Sequence, residues 1–280
     1  MERMSRARTL KSVLSEGVNY IPYPLRPWVK NVPGVAGVQR WLVARFLSDR
    51  PFVHTINVGP ARGLRFEVTL PRDKAVWTGL YEPEFTTAIV EHVKAGDVCY
   101  DIGGYRGYIS GVMALAGALK VLVFEPLPAN QRAVRRLCEL NPQLPINVIT
   151  VALGNTDGPG LLKVMPDSSM GKLSKSSFQA HVPAIREIPV VVRQIDSLLQ
   201  SREIPRPDVL KIDVEGGELD VLCGALEVLR MSRPKIFLEA HGGALEKACS
   251  QQLVQLGYEI RRIEREIPGE ESARHLVCLP

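Results

Sequence analysis

Val98-Cys99-Tyr100-Asp101-Ile102-Gly103-Gly104-Tyr105-Arg106-Gly107 is the stretch on which the reading of this chain turns. An apolar run with an acidic residue near its end gives way to a glycine-rich turn, after which Ile109, Val112, Met113 and Ala116 recur at helical spacing. Strand, turn and helix in that order begin a β-α-β unit. Val121 to Phe124 reads as the next strand, and a helix bearing Val134, Leu137 and Leu140 follows, stopping at Asn141-Pro142 because the residue before proline disfavours helical backbone. Ile146 to Val151, Val209 to Val214 and Ile236 to Glu239 continue the series, with Leu219, Leu222, Leu226 and Leu229 marking one helix between the last two strands. A helix around Ala244 to Leu256 and strands at Tyr258 to Ile263 and His275 to Leu279 complete it. The alternation predicts an α/β fold with a seven-stranded, mostly parallel sheet and helices on both faces.

The pattern changes upstream of residue 75, which divides an N-terminal extension, 1–75, from a main domain, 76–280. Pro22, Pro24, Pro27 and Pro33 lack backbone donors and predict an irregular arm. Val35, Val38, Trp41, Leu42 and Phe46 then follow helical spacing, and runs at Val53 to Val58 and Leu64 to Leu70 predict a hairpin. Residues 155–195 interrupt the main domain. Leu161 to Met165 and Ile188 to Val192 read as an inserted hairpin, with a polar loop between them carrying Ser168, Ser169, Ser174, Ser176 and Ser177.

Composition narrows the function. The chain has 280 residues, 45% of them hydrophobic, enough for one substantial core. Its net charge of +5 is carried by the extension: residues 1–50 hold nine Lys/Arg and three Asp/Glu, leaving 26 against 27 elsewhere. A nearly neutral main domain argues against a nucleic-acid footprint, whereas the basic extension suits peripheral contact with an anionic membrane surface or substrate. Five widely spaced cysteines without a C-x-x-C pair read as structural thiols. No long apolar run and no secretory signal pattern is present, so a cytoplasmic protein is expected.

Open α/β sheets bind ligands beyond the carboxyl ends of their strands, where strand order reverses. Asp101-x-Gly103-x-x-x-Gly107 occupies such an end, and glycines allow a sharp turn and close approach to a ligand. Asp101 offers an anion for the cationic amino acid end of S-adenosylmethionine. Glu125 ends the following strand 24 residues later and can accept hydrogen bonds from both ribose hydroxyls. A nicotinamide cofactor fits less well, because its G-x-G-x-x-G turn would put Tyr105 where the second glycine must admit a pyrophosphate.

With these residues together, the chain resembles the FkbM family of S-adenosylmethionine-dependent methyltransferases. The resemblance runs through Gly79-Leu80-Tyr81-Glu82-Pro83-Glu84, Asp101-Ile102-Gly103, Phe124-Glu125-Pro126, Val151-Ala152-Leu153-Gly154, Lys211-Ile212-Asp213-Val214-Glu215-Gly216-Gly217-Glu218 and Leu238-Glu239-Ala240-His241. It implies a class I methyltransferase (Rossmann-like) sheet and methyl transfer to a hydroxyl of a sugar, glycolipid, polyketide or other secondary metabolite, releasing S-adenosylhomocysteine. On this resemblance the cofactor would be held by Tyr81, Glu82, Asp101, Gly103, Gly104, Tyr105, Gly107, Glu125, Pro126, Val151, Ala152 and Asp213. The family pattern D-x-G-A-N-x-G is broken at two places, since Gly104 and Tyr105 stand where Ala and Asn are expected.

In-line displacement from a sulfonium depends on alignment, and a neutral alcohol must also give up its proton to a base. Asp213, Glu239 and His241 are the catalytic candidates, because they end the fourth and fifth strands. The ordinary pKa of histidine suits a base near neutrality, and Glu239 could orient it. For Glu218, at a helix start, capping or surface exposure is expected. No metal ligand spacing is evident, and no divalent ion is expected. An N- or carboxyl methyltransferase and a non-catalytic binding protein on the same fold remain open at this point.

Overall fold

The computed structural model describes residues 50–165, 185–263 and 274–280 in full and the backbone of 171–173. The proline arm, the helix expected near Trp41 and the serine-rich loop of the insertion lie outside the described residues. The chain divides into two compact units between Tyr81 and Glu82.

In the first unit, β1 (Phe52–Thr55) pairs antiparallel with β2 (Arg65–Val68), Phe52 opposite Val68. A short helix, α1 (Lys74–Thr78), belongs with this hairpin: its Trp77 ring lies 6.1 Å from that of His54. Gly59 and Gly79 meet so closely that a Cβ on Gly59 would stand 2.4 Å from the Gly79 carbonyl oxygen. These contacts carry the first unit to Tyr81, beyond the boundary near residue 75 that the sequence suggests.

The second unit begins with α2 (Pro83–His92) and then alternates strand and helix. Its strands are β3 (Val98–Ile102), β4 (Lys120–Phe124), β5 (Ile146–Ile149), β10 (Val209–Ile212), β11 (Lys235–Ala240), β12 (Glu259–Arg262) and β13 (Arg274–Leu279). They lie in the order β12-β13-β11-β10-β3-β4-β5, all parallel except β13, which is antiparallel to both neighbours. The expected seven-stranded sheet is therefore present. The chain builds outward from β3 to β5, then returns to β10 on the other flank of β3, so the strand order reverses between β3 and β10.

Side-chain alternation along each strand separates two chemically different faces. Tyr100, Ile102, Leu122, Phe124, Leu210, Ile212, Ile236 and Leu238 join one buried apolar cluster with Leu198, Val221, Leu222, Leu229 and Leu253. These partners come from α5 (Ile195–Gln200), α6 (Glu218–Cys223), α7 (Leu226–Met231) and α8 (Gly243–Gln255). The intervening residues Asp101, Lys211 and Phe237 face the other way. Phe237 meets Phe85 of α2 edge-on, and Asp101 meets Ser110 of α3 (Tyr108–Leu115). Each apolar side chain withdrawn from water contributes roughly 1.5–3 kcal/mol. The apolar face thus supplies the stability that lets the opposite face carry charge.

One helix expected after β10 is in fact two, α6 and α7. Gly224 separates them and approaches Gly154 so closely that a Cβ would lie 2.0 Å from the Gly154 carbonyl oxygen. Asp196 starts α7 by accepting the Glu227 and Val228 backbone N–H groups at 2.8 and 3.0 Å. The insertion forms its own sheet, β6 (Ala152–Leu153), β9 (Arg186–Arg193), β7 (Gly158–Val164) and β8 (Gly171–Leu173) in spatial order. Helix α4 (Pro128–Leu140) follows β4 and ends at Asn141 as expected. Cys99, Cys249 and Cys278 are buried, and burial pushes each thiol up to about 12, out of range for a nucleophile at neutral pH. Among the described residues no helix is long and apolar enough to cross a membrane.

Candidate active site

The glycine turn lies against the point where strand order reverses. A Cβ on Gly103 would stand 1.8 Å from the Asp213 carbonyl oxygen, so the ends of β3 and β10 come together only over a bare backbone. Gly104 is equally constrained, since its Cβ would meet Val123 Cγ1 of β4 at 2.1 Å. That contact accounts for Gly where the family pattern has Ala: in this chain Val123 fills the space. Tyr105 adopts a left-handed φ of 49°, a conformation asparagine tolerates better than tyrosine. Its N–H donates to Glu125 Oε2 at 2.9 Å, and the Leu127 N–H donates to Oε1 at 2.8 Å. Burial pushes the Glu125 carboxyl up to about 7 despite these donors and Asn130. Each carboxylate oxygen carries two lone pairs, which leaves acceptor capacity for a further donor.

Asp101 departs from expectation. It is fully buried, and its carboxylate faces Lys211 Nζ at 3.1 Å and accepts from the Ser110 hydroxyl. Lys211 also donates to the Gly103 carbonyl oxygen at 2.8 Å and stands 3.3 Å from Asp213 Oδ2. Burial would pull the ammonium down, but Asp101 and Asp213 together hold it above its ordinary value. Asp101 therefore anchors the turn from within. Across Lys211, Asp213 is the carboxylate with exposure, at 26% for its side chain against 0% for Asp101.

The second cluster ends β10 and β11. His241 Nε2 stands 3.4 Å from Glu215 Oε2, 3.8 Å from Glu239 Oε1 and 3.9 Å from Asp213 Oδ1, while Nδ1 lies 2.7 Å from Glu218 Oε1. Burial alone would lower the imidazole, but the Glu218 hydrogen bond and the surrounding carboxylates raise it to about 9. At neutral pH the ring is a cation, contrary to the near-neutral base expected from its ordinary value. Burial raises Asp213 to about 6 and Glu215 to about 7, so around His241 these are the carboxylates that titrate nearest neutrality.

Glu239 looks two ways. Besides His241 it faces His275 Nε2 at 3.3 Å, its register partner across β11 and β13. Burial would raise Glu239, but the His275 hydrogen bond and charge carry it below its ordinary value. His275 stacks on Phe85 at 4.3 Å and lies 3.8 Å from Glu82. Glu82 is therefore beside β13. Tyr81 closes the first unit and Pro126 follows Glu125. Val151 is half-buried and Ala152 buried, where β5 gives way to β6. Glu82, Tyr105 and Glu215 are three of the five non-glycine residues with positive φ among the described residues, and such strain concentrates at functional sites.

Sequence reasoning missed His275, Ser110 and the inward role of Glu218. Glu218 carried a local signal, its place in Lys211 to Glu218, and Ser110 lies only nine residues after Asp101, whereas His275 depends on pairing across distant elements. Asp213, Glu239 and His241 bring potential ligand atoms within 4.8 Å of one another, as do Glu82, Glu239 and His275, so either group could hold a cation.

Comparison with known proteins adds the following. A sequence model described as the methyltransferase FkbM domain matches residues 101–268. The hexuronic acid methyltransferase AglP of Haloferax volcanii is 27% identical over 187 residues, covering 66% of this chain and 74% of that protein. The crystal structure of methyltransferase FkbM from Methylobacillus flagellatus aligns with a TM-score of 0.47 at 19% identity, over 65% of this chain; the alignment spans only 43% of that protein. A precorrin-6y C5,15-methyltransferase from Geobacter metallireducens aligns with a TM-score of 0.44 at 12% identity, over 70% of this chain and 87% of that one.

Proposed function

The chain belongs to the methyltransferase FkbM domain family, and from that premise we propose that it is an S-adenosylmethionine-dependent O-methyltransferase acting on a hydroxyl of a sugar, glycolipid, polyketide or related metabolite. The observation that carries this reading is the conjunction at the reversal of strand order. A bare glycine turn with Glu125 beyond it adjoins one side of the β3–β10 boundary, and Asp213, Glu239 and His241 adjoin the other. The sugar class draws support from the hexuronic acid methyltransferase to which the chain is similar.

The residues present fit the donor. Positive φ at Gly103 and Gly107 gives a tight turn beside Glu125, which retains acceptor capacity for a ribose hydroxyl. Asp213 has the exposure to meet a cationic amino acid end, which Asp101 lacks. Bound S-adenosylmethionine supplies an electrophilic methyl group on a sulfonium. Asp101, Lys211 and Ser110 hold the turn that orients the donor, while Asp213 and Glu215, titrating near neutrality, take the proton of the acceptor hydroxyl. His241, as a cation between them, offsets their mutual repulsion. The basic residues 1–50 suit an anionic or lipid-linked acceptor carrier at a membrane surface.

A carboxyl acceptor is the second reading, favoured by the hexuronic acid named for the relative. Against it stands the concentration of Glu82, Asp213, Glu215, Glu218 and Glu239 around two histidines. The test is incubation with labelled S-adenosylmethionine and extracts of the source organism, with mass spectrometry of the product. A methyl ether supports the reading, and a methyl ester overturns it in favour of the second. Glu125→Ala should weaken donor binding at least ~10-fold, about 1.4 kcal/mol. His241→Ala should slow turnover and leave donor binding intact; no donor binding by the unaltered protein would remove the enzyme reading altogether.

A further inference from the structure

Three donors converge on one oxygen at the back of the acceptor cluster. Glu218 is fully buried, and its Oε1 accepts the Gly216 N–H at 3.0 Å and the Val214 N–H at 3.4 Å. Nδ1 of His241 approaches the same oxygen at 2.7 Å, from a residue 23 positions along the chain. An oxygen already receiving backbone donors is an acceptor, so Nδ1 must carry the hydrogen in this contact. No solvent reaches Glu218 to compete for it.

We infer that Glu218 is a positioning residue: it holds the His241 ring with Nδ1–H turned inward and Nε2 turned toward the proposed acceptor. The inference rests on the methyltransferase reading above, because that reading gives Nε2 its task. Nε2 is then the ring atom facing Glu215 at 3.4 Å, Glu239 at 3.8 Å and Asp213 at 3.9 Å. A ring flipped by half a turn would offer Glu218 a carbon and break the set. As with the buried carboxylate of a hydrolase triad, an inward hydrogen bond fixes the orientation of the ring, here so that Nε2 of the imidazolium faces the carboxylates of the site. Glu239, expected from the sequence to orient His241, lies instead on its Nε2 side and divides its carboxylate with His275.

The groups facing the ring come from three elements: Asp213 and Glu215 after β10, Glu218 at the start of α6, and Glu239 on β11. They act on its charge, whereas Glu218 also bonds Nδ1. Charge and orientation are therefore separable by experiment.

The test is nitrogen-15 NMR of the histidine rings at a pH well above 9, at least about one unit, where His241 is largely neutral and one nitrogen carries the hydrogen. The unaltered protein should show His241 protonated at Nδ1, with assignment by its loss in His241→Asn. Nε2 protonation there overturns the inference without any variant. Glu218→Gln keeps an oxygen for Val214, Gly216 and Nδ1 and should keep the Nδ1–H form. Glu218→Ala should lose that preference and slow turnover by about 100-fold, because the imidazolium then no longer holds its place beside Asp213 and Glu215, the groups that take the acceptor proton, and a general base contributes on that scale. Donor affinity should stay within about two-fold in both variants, since the proposed donor-binding residues are untouched. A folded Glu218→Ala protein that retains the Nδ1–H form or full turnover overturns the inference. Failure of the unaltered protein to bind S-adenosylmethionine counts against the enzyme reading instead, and the ring measurement stands apart from it.

Discussion

Lys211 stands directly opposite Asp101 across β10 and β3, its Nζ 3.1 Å from Oδ1, with the lysine side chain 4% exposed and the aspartate 0%. The pair joins the two strands between which strand order reverses, and its stake in stability follows from burial. Removing one partner of a buried pair leaves the other charge without compensation, whereas removing both is far milder. Lys211→Met should therefore destabilise the protein by about 3–5 kcal/mol, and Asp101→Asn combined with Lys211→Met by less than the two single changes summed. Urea denaturation of the three variants checks this; strict additivity would mean the pair is not coupled.

Gly104→Ala forces a Cβ to within 2.1 Å of Val123 Cγ1. Both residues sit in the buried floor of the site, so the change should cost about 1–3 kcal/mol as overpacking. Adding Val123→Ala should recover part of that loss, although Val123→Ala alone leaves a cavity. Melting temperatures of the singles and the double decide it. Equal loss in the presence and absence of Val123 would remove the compensation argument.

Tyr105→Asn should be neutral or stabilising by about 1 kcal/mol, because asparagine relieves a left-handed backbone at φ 49°. The Tyr105 N–H bond to Glu125 comes from the backbone and survives the exchange. Titration with S-adenosylmethionine should give unchanged affinity. A ten-fold loss would instead assign the tyrosine side chain a direct part in binding.

Stability should fall as pH rises from acid to alkaline conditions. His241 is raised from 6.5 to about 9, so its contribution is complete below 6.5 and disappears as pH passes 9. Glu215, raised from 4.5 to about 7, acts in the same direction: its contribution is complete below 4.5 and is lost through 7. Glu239, lowered by His275, has the opposite sign and loses its contribution only as pH falls below 4.5. Denaturation between pH 6.5 and 10 should show the decline in the unaltered protein and a shallower one in His241→Gln. Parallel curves would mean that the carboxylates do not stabilise the imidazolium.

The sheet was legible because apolar runs and helical repeats are local, and so was the place of Glu125 at the end of the second strand of the main domain. Three features were not. Asp101 reads as a ligand contact until β10 is laid beside β3 and Lys211 claims it, a pairing between residues 110 positions apart. Leu219 to Leu229 keep one helical period, yet Gly224 breaks the helix because Gly154 lies against it. Glu218 reads as a helix-start acid, but His241, brought in by β11, converts it into an internal partner. Each failure is a local preference overruled by a distant neighbour.

β13 lies between β11 and β12 in space although both precede it in the chain, and it carries His275 to Glu239. During synthesis the ribosome must therefore deliver Arg274–Leu279 before β11 gains its outer neighbour or Glu239 its second histidine. Until then β11 is an open sheet edge and Glu239 lacks the neighbour that carries its carboxyl below the ordinary value.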